Sequence, residues 1–190
     1  TFGYDDAPIG HAELIFENCR VPAENVLLGE GRGFEIAQGR LGPGRMHHCM
    51  RLIGTGQRAL ELACKRATSR TTFGRQLSKH QSVREDISRM FSEIEMARLL
   101  VLKTSHKIDE QGVPASIDMI AATKTTIPLL IQNVIDRAIQ MHGAGGLTAD
   151  YCMAEGYNYA RWCRQADGPD QVHQMALGKQ IIERYSGEKA

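Results

Sequence analysis

The chain has 190 residues, 42% of them apolar, 24% charged and only 6% aromatic, with 23 Lys and Arg against 22 Asp and Glu for a formal net charge of +1. That mix supports a packed, helix-rich core and argues against disorder and against an all-β sandwich, and the near-zero charge leaves no broad basic field to hold a nucleic acid. No apolar run reaches the roughly 20 residues that a membrane-spanning helix needs, and the five cysteines, odd in number and without a C-x-x-C pair, read as reduced thiols of an intracellular protein.

Residues 1–33 carry short apolar runs, Leu14-Ile15-Phe16 and Val21 with Val26-Leu27-Leu28, split by Asn, Pro and Gly. They read as one or two strands and a turn, the remnant of a sheet domain, because two strands alone make no stable unit. The chain opens on Thr1 without a cationic leader, so it reads as a piece of a longer protein with any targeting signal upstream.

From Phe34 the period becomes helical, and residues 34–190 read as an all-α domain, an up-down bundle of long antiparallel helices. After a turn or two at Phe34 to Gly39, Pro43 suits a fresh helix start, with the helix running from Gly44 to about Ser69; Gly54 and Gly56 suit close packing. Residues 70–79 read as a loop, and Ser78 with Gln81 fits a capping box for a helix to about Asp109. Its expected apolar face is Ile87, Met90, Phe91, Ile94, Ala97, Val101 and Ile108. Gly112 ends it, and Pro114 suits the start of a third helix that Pro128 should bend locally and Gly143-Ala144-Gly145-Gly146 terminates. A fourth helix covers about Tyr151 to Gln165, and Pro169 opens a fifth that runs to about Tyr185.

Several segments invite chemistry. The loop Arg70-Thr71-Thr72-Phe73-Gly74-Arg75 offers two guanidiniums and one ring, a set that suits a phosphate and a flat group, though Phe73 could equally be a simple anchor. Asp167-Gly168-Pro169-Asp170-Gln171 puts two carboxylates at a helix start, where acidic caps are ordinary. GEGRGF at Gly29 to Phe34 lacks the third glycine of a dinucleotide loop and no βαβ unit follows. The histidines, with His47 and His48 adjacent, show no zinc spacing, so no metal site is expected.

In order, these segments are G-R-G-F, L-G-P-G-R, Q-R-A-L-E-L-A, S-R-T-T-F-G-R-Q-L-S-K-H-Q, Q-M-H-G-A-G-G and A-D-G-P-D-Q-V-H. Together they resemble the C-terminal part of an acyl-CoA dehydrogenase, in the branch whose eukaryotic members carry an N-terminal phosphotransferase-like domain. The resemblance implies FAD-dependent α,β-dehydrogenation of an acyl-CoA thioester of the fatty acid β-oxidation type. A carboxylate takes the α-proton while the β-hydrogen leaves as hydride to flavin N5. Residues 1–33 then correspond to the last strands of the family's middle β domain. Asp167 stands where the family usually has a catalytic Glu, one methylene longer. The alternative base position of some members falls on Gly44, which has no side chain. Gly42, Pro43, Gly44 and Arg45 resemble the substrate-contacting start of the first long helix, and Gly168 would line the thioester. Arg70 and Phe73 resemble the pair that holds FAD pyrophosphate across a subunit interface, with Gln81 a further contact. Gln140, Gly143 and Ala144 would approach a neighbouring FAD, and Pro169, Asp170 and Gln171 resemble cofactor contacts just after the base.

The same resemblance implies an electron-transferring flavoprotein as acceptor and a homodimer or homotetramer. It also implies a mitochondrial or peroxisomal setting in a eukaryote and a cytoplasmic one in a bacterium. Two other functions compete: a flavin-free helical oligomerisation module, and an acyl-CoA oxidase that passes electrons to oxygen.

Overall fold

The third long helix of the sequence is its most apolar, and it becomes the hub of the fold. In the computed structural model, which describes residues 11–187, α1 (Gly33–Ser69), a hairpin of β1 (Thr71–Thr72) and β2 (Arg75–Gln76), α2 (Gln81–Ala115), α3 (Ile117–His142), α4 (Met153–Cys163) and α5 (Asp170–Ser186) follow in order. All four other helices pack against α3. Its Ile127, Ile131, Val134, Ile135 and Ala138 are fully buried, at the spacing that keeps one stripe of a helix turned inward. α1 meets that stripe with Cys49, Leu52, Ile53, Gly56, Ala63 and Ala67, and α2 with Met90, Ile94, Ala97 and Val101. Each such side chain taken out of water contributes roughly 1.5–3 kcal/mol when large and apolar. The result is the antiparallel all-α bundle that the periodicity predicts.

Several local expectations are corrected. Leu14, Ile15 and Phe16 form no strand and are 74–77% exposed. A strand needs a ladder partner, and among the described residues none lies alongside; the 11–32 segment holds only a 3-10 turn at Ala23–Asn25. Pro43 does not start a helix. α1 runs straight through it, and the lost N–H costs only the bond to the carbonyl of Gly39, in a solvent-facing turn. The residue 70–79 loop is a tight hairpin, with Thr71 opposite Gln76 and Thr72 opposite Arg75. Phe73 and Gly74 at its tip both have positive φ, 50° and 79°, which is what a two-residue hairpin turn with right-handed strand twist demands. Ser78 and Gln81 form no capping box: His80 occupies the N-cap, and Gln81 Nε2 donates instead to Glu85 Oε1 at 2.8 Å.

Gly112 breaks α2 as expected, with φ of 80°. Pro114 lies beyond that break, in a short helical turn closed by Ser116, whose Oγ and N–H donate to the carbonyls of Gly112 and Val113 at 2.9 and 3.0 Å, and α3 follows at once from Ile117. Phe91 leaves the expected apolar face and is 58% exposed. Of the two helical glycines, only Gly56 is a close-packing site. A Cβ there would stand 2.9 Å from Ile131 Cδ1, whereas one on Gly54 would meet open space.

Candidate active site

α4 returns along α3 towards the start of the bundle, and the connection from α4 to α5 turns back beneath α1. The turn needs two residues with positive φ, Asp167 at 57° and Gly168 at 104°. Aspartate is one of the few residues that enters the left-handed region readily. Glycine at 168 has a second reason: a Cβ there would press to 2.9 Å from His173 Nε2.

Carbonyl oxygens of this turn are tied by three side chains from three helices. Arg45 Nε on α1 donates to the Asp167 carbonyl at 3.0 Å, and His173 Nε2 on α5 lies 3.1 Å from the same oxygen. Lys124 on α3, fully buried, places Nζ 2.5 Å from the carbonyl of Cys163 and 3.4 Å from that of Gly168. Burial pushes the Lys124 ammonium below its ordinary pKa, with Cys49, Asp170, Cys163 and Asp167 opposing. Arg164 Nε donates to Asp170 Oδ2 at 2.7 Å, and the Asp170 N–H returns to the Arg164 carbonyl at 3.2 Å, closing the turn. Asp170 Oδ1 is buried without a hydrogen-bond partner among the described residues. Nor does any of them accept a hydrogen bond from the Asp167 N–H.

The Asp167 carboxyl points to α1, not to open water. Its side chain is 18% exposed, and Oδ2 lies 3.4 Å from His48 Nε2. A Cβ added to Gly44 would stand 3.5 Å from that oxygen. Beside it a cavity of about 330 Å3 opens along α1, lined by Gly39, Arg40, Pro43, Gly44, His48 and Arg51 among others. His48 Nδ1 is 3.0 Å from the Tyr159 hydroxyl and 3.3 Å from Arg51 Nη2, and its ring meets Trp162 edge-on at 5.4 Å. Desolvation lowers the His48 pKa; Asp167 opposes this, while Arg51, Lys124 and Arg40 add to it. Burial raises the Tyr159 phenol well above its usual value, so it stays protonated. Burial also raises the neighbouring thiols Cys49 and Cys163, to about 12 and about 11, which keeps both inert.

The residues singled out in the sequence therefore fall into two groups. Gly42 to Arg45, Asp167, Gly168, Pro169, Asp170 and Gln171 gather at one end of the bundle. Arg70, Phe73, Gln81, Gln140, Gly143 and Ala144 lie at the other, around the hairpin and the end of α3, all exposed. Along the unbroken α1, Gly44 and Arg70 are separated by about 39 Å at 1.5 Å per residue. Phe73 is 99% exposed, an arrangement suited to a partner surface rather than to this chain's own core. Sequence reading missed His48, Tyr159, Lys124 and His173. Helical phase carries a signal for Lys124, which sits four residues after Ile120 and three before Ile127 on the buried stripe.

Among the described residues no three His, Cys, Asp or Glu side chains gather as a metal site, and no helix is long and apolar enough to cross a membrane. Residues 31–182 match the family described as acyl-CoA dehydrogenase, C-terminal domain. The chain is 52% identical to mouse acyl-CoA dehydrogenase family member 10, over 98% of this chain and 17% of that protein. It is 51% identical to an Arabidopsis thaliana protein described as "Probable acyl-CoA dehydrogenase IBR3", over 98% of this chain and 23% of the relative. Butyryl-CoA dehydrogenase from Megasphaera elsdenii shares the fold with a TM-score of 0.80 and 31% identity, over 88% of this chain and 43% of that one. The chain thus spans under half the length of each of these relatives.

Proposed function

Because the chain belongs to the acyl-CoA dehydrogenase family and carries its C-terminal domain, we propose that the intact protein oxidises an acyl-CoA thioester to its α,β-unsaturated form with Asp167 as the base. The observation that carries this reading is the Asp167 carboxyl, 3.4 Å from His48 Nε2 and 3.5 Å from the place of a Cβ on Gly44, two residues that line the adjoining cavity. The α-hydrogen of a thioester is weakly acidic, so a carboxylate must lie against it, and the carbonyl oxygen gains charge as the proton leaves. The Asp167 N–H, without a partner among the described residues, is a donor available for that oxygen. Gly168 carries no side chain to obstruct the thioester. Asp is shorter than Glu by about 1.3–1.5 Å of reach. Arg45 from α1 and His173 from α5 both hold the Asp167 carbonyl and so fix the backbone from which the shorter side chain reaches.

FAD fits this chain in two halves. Exposed Arg70 beside Phe73 suits a diphosphate and a ring, and Gly143, with φ of 65° and open space around it, allows close backbone approach at the same end. At the other end exposed Gln171 and half-buried Pro169 offer polar contacts next to the buried Asp170. One chain cannot turn both halves to a single flavin, so a homodimer, or a homotetramer built from such pairs, would join the hairpin end of one copy to the Asp167 end of the next. Bound FAD supplies the two-electron acceptor for the β-hydrogen. An electron-transferring flavoprotein is the proposed next acceptor.

Replacing Asp167 by Asn in the intact protein tests the base. Turnover should fall roughly 1,000-fold while the yellow flavin is retained; undiminished turnover would move the base elsewhere. Acyl-CoA should reduce the wild-type protein, which should then pass electrons to the flavoprotein acceptor rather than make peroxide.

A further inference from the structure

Among the described residues, His48 is the one titratable side chain within ion-pair distance of the Asp167 carboxyl, and its other nitrogen is held by groups that fix its tautomer. Arg51 has only N–H donors to offer, so Nδ1, 3.3 Å from Arg51 Nη2, is an acceptor and carries no proton. The Tyr159 hydroxyl, 3.0 Å away and kept protonated by burial, and the Cys163 thiol, whose Sγ lies 3.9 Å away, face the same nitrogen, and either can donate to it. The neutral ring must then bear its proton on Nε2, the nitrogen 3.4 Å from Asp167 Oδ2.

We propose that His48, as the neutral Nε2–H tautomer set by Tyr159 and Arg51, is the positioning residue for Asp167, engaging Oδ2 and leaving Oδ1 to meet the substrate. The inference rests on the reading of Asp167 as base. A side chain as short as aspartate has only two torsions to aim it, and the left-handed backbone at 167 places its root rather than its tip. A ring N–H 3.4 Å from Oδ2 stands at ion-pair distance, and a small shift that closes it to a hydrogen bond would remove the remaining rotation. A neutral donor also leaves the carboxylate more basic than a cation in the same place would.

Burial is what favours the neutral ring. Asp167 opposes it, Arg51 and Arg40 on α1 and Lys124 on α3 add to it, and Tyr159, Cys49 and Cys163 stay uncharged at neutral pH. Arg45 on α1 and His173 and Asp170 on α5 are the other charged or titratable groups of the same turn.

The test uses the intact flavoprotein with three variants. His48→Ala should lower kcat roughly 100-fold, the scale of a misaimed reacting group, with KM changed less than about threefold. His48→Gln, which keeps an N–H donor near the place of Nε2, should recover at least about tenfold of that loss. It should also make the acid limb of the kcat profile less steep, since the ring at 48 can no longer gain a proton there. A structural role alone would move Tm and give no such rescue or change of slope. Nitrogen-15 spectra of the histidine-labelled protein should show Nε2 protonated and Nδ1 bare; the opposite tautomer overturns the proposal. So does a His48→Ala kcat within about threefold of wild type while Asp167→Asn is inactive, an outcome that leaves the base reading standing. An active Asp167→Asn removes the base reading and this inference together.

Discussion

Gly44 and Asp167 face each other across the candidate site: a Cβ on the glycine would stand 3.5 Å from the aspartate's Oδ2. A carboxylate could therefore reach the same space from either element. The family resemblance names both positions as places for a base, and here only the α4–α5 turn supplies one. Asp167→Gly combined with Gly44→Glu should recover activity that Asp167→Gly alone lacks, by about tenfold or more. The new side chain must displace Arg40 Nη1, which would lie 2.8 Å from its Cβ, but that is the end of a flexible, exposed arginine. Turnover of the single and double variants with one acyl-CoA checks it, and a double variant no faster than Asp167→Gly would show that the two positions do not share a substrate.

Lys124→Met should separate catalysis from stability. Methionine fills similar space but leaves the carbonyls of Cys163 and Gly168 without their ammonium, at about 1–3 kcal/mol each, while sparing the cost of a buried charge. The two effects oppose each other, so the net change in stability should be within about 2 kcal/mol, whereas the turn carrying Asp167 loses its tether. Faster amide exchange across residues 163–168 and a lower kcat are expected. The sign with pH follows from the lowered Lys124 pKa. Above that native value the folded state sheds a proton that the unfolded chain holds up to about pH 10.4, so stability rises with pH in the interval. Urea midpoints of wild type should rise there relative to Lys124→Met; parallel curves would contradict the burial of the charge.

What could be read from the sequence divides along a physical line. Long amphipathic helices declare themselves locally, because Ile127, Ile131 and Ile135 must share a stripe whatever they pack against. Pro43 misleads because a proline in an exposed turn is tolerated when the rest of α1 is anchored by packing. The Leu14 to Phe16 run misleads because a short apolar run says nothing about whether a ladder partner is present. Asp167 and the Arg70 to Arg75 loop show as polar connections in the sequence, but their roles are legible only through the family resemblance. His48 and Lys124 were not legible as site residues, since what gives them a role, the Tyr159 hydroxyl and the carbonyls of a turn, lies on other helices.

Arg70→Ala should weaken flavin retention without disturbing the bundle. The side chain is exposed at the end of α1, and its own fold role is confined to the backbone, whose carbonyl accepts from Leu77 N–H at 2.9 Å. Flavin absorbance per chain after gel filtration should fall, with Tm of the flavin-stripped protein unchanged. Full occupancy would remove the diphosphate role.

Asp118 should govern the acid limb of stability. Burial would raise its pKa, but donors from Lys107 Nζ at 2.7 Å, Arg184 Nη2 at 2.9 Å and the Met119 N–H at 2.7 Å outweigh that and hold it at about 2, against 3.8 unperturbed. The native value is depressed, so the stabilisation is complete above the unfolded pKa and is lost as pH falls from about 4 to about 2. Because Arg184 is 54% exposed, solvent screening reduces the net effect to about 1–2 kcal/mol. Asp118 is also the point where the last turn of α5 is pinned to the first turn of α3, so Asp118→Asn should loosen α5 first. Wild type and variant should differ in urea midpoint at neutral pH and converge near pH 2; a constant gap across that range would assign the effect to packing instead of charge.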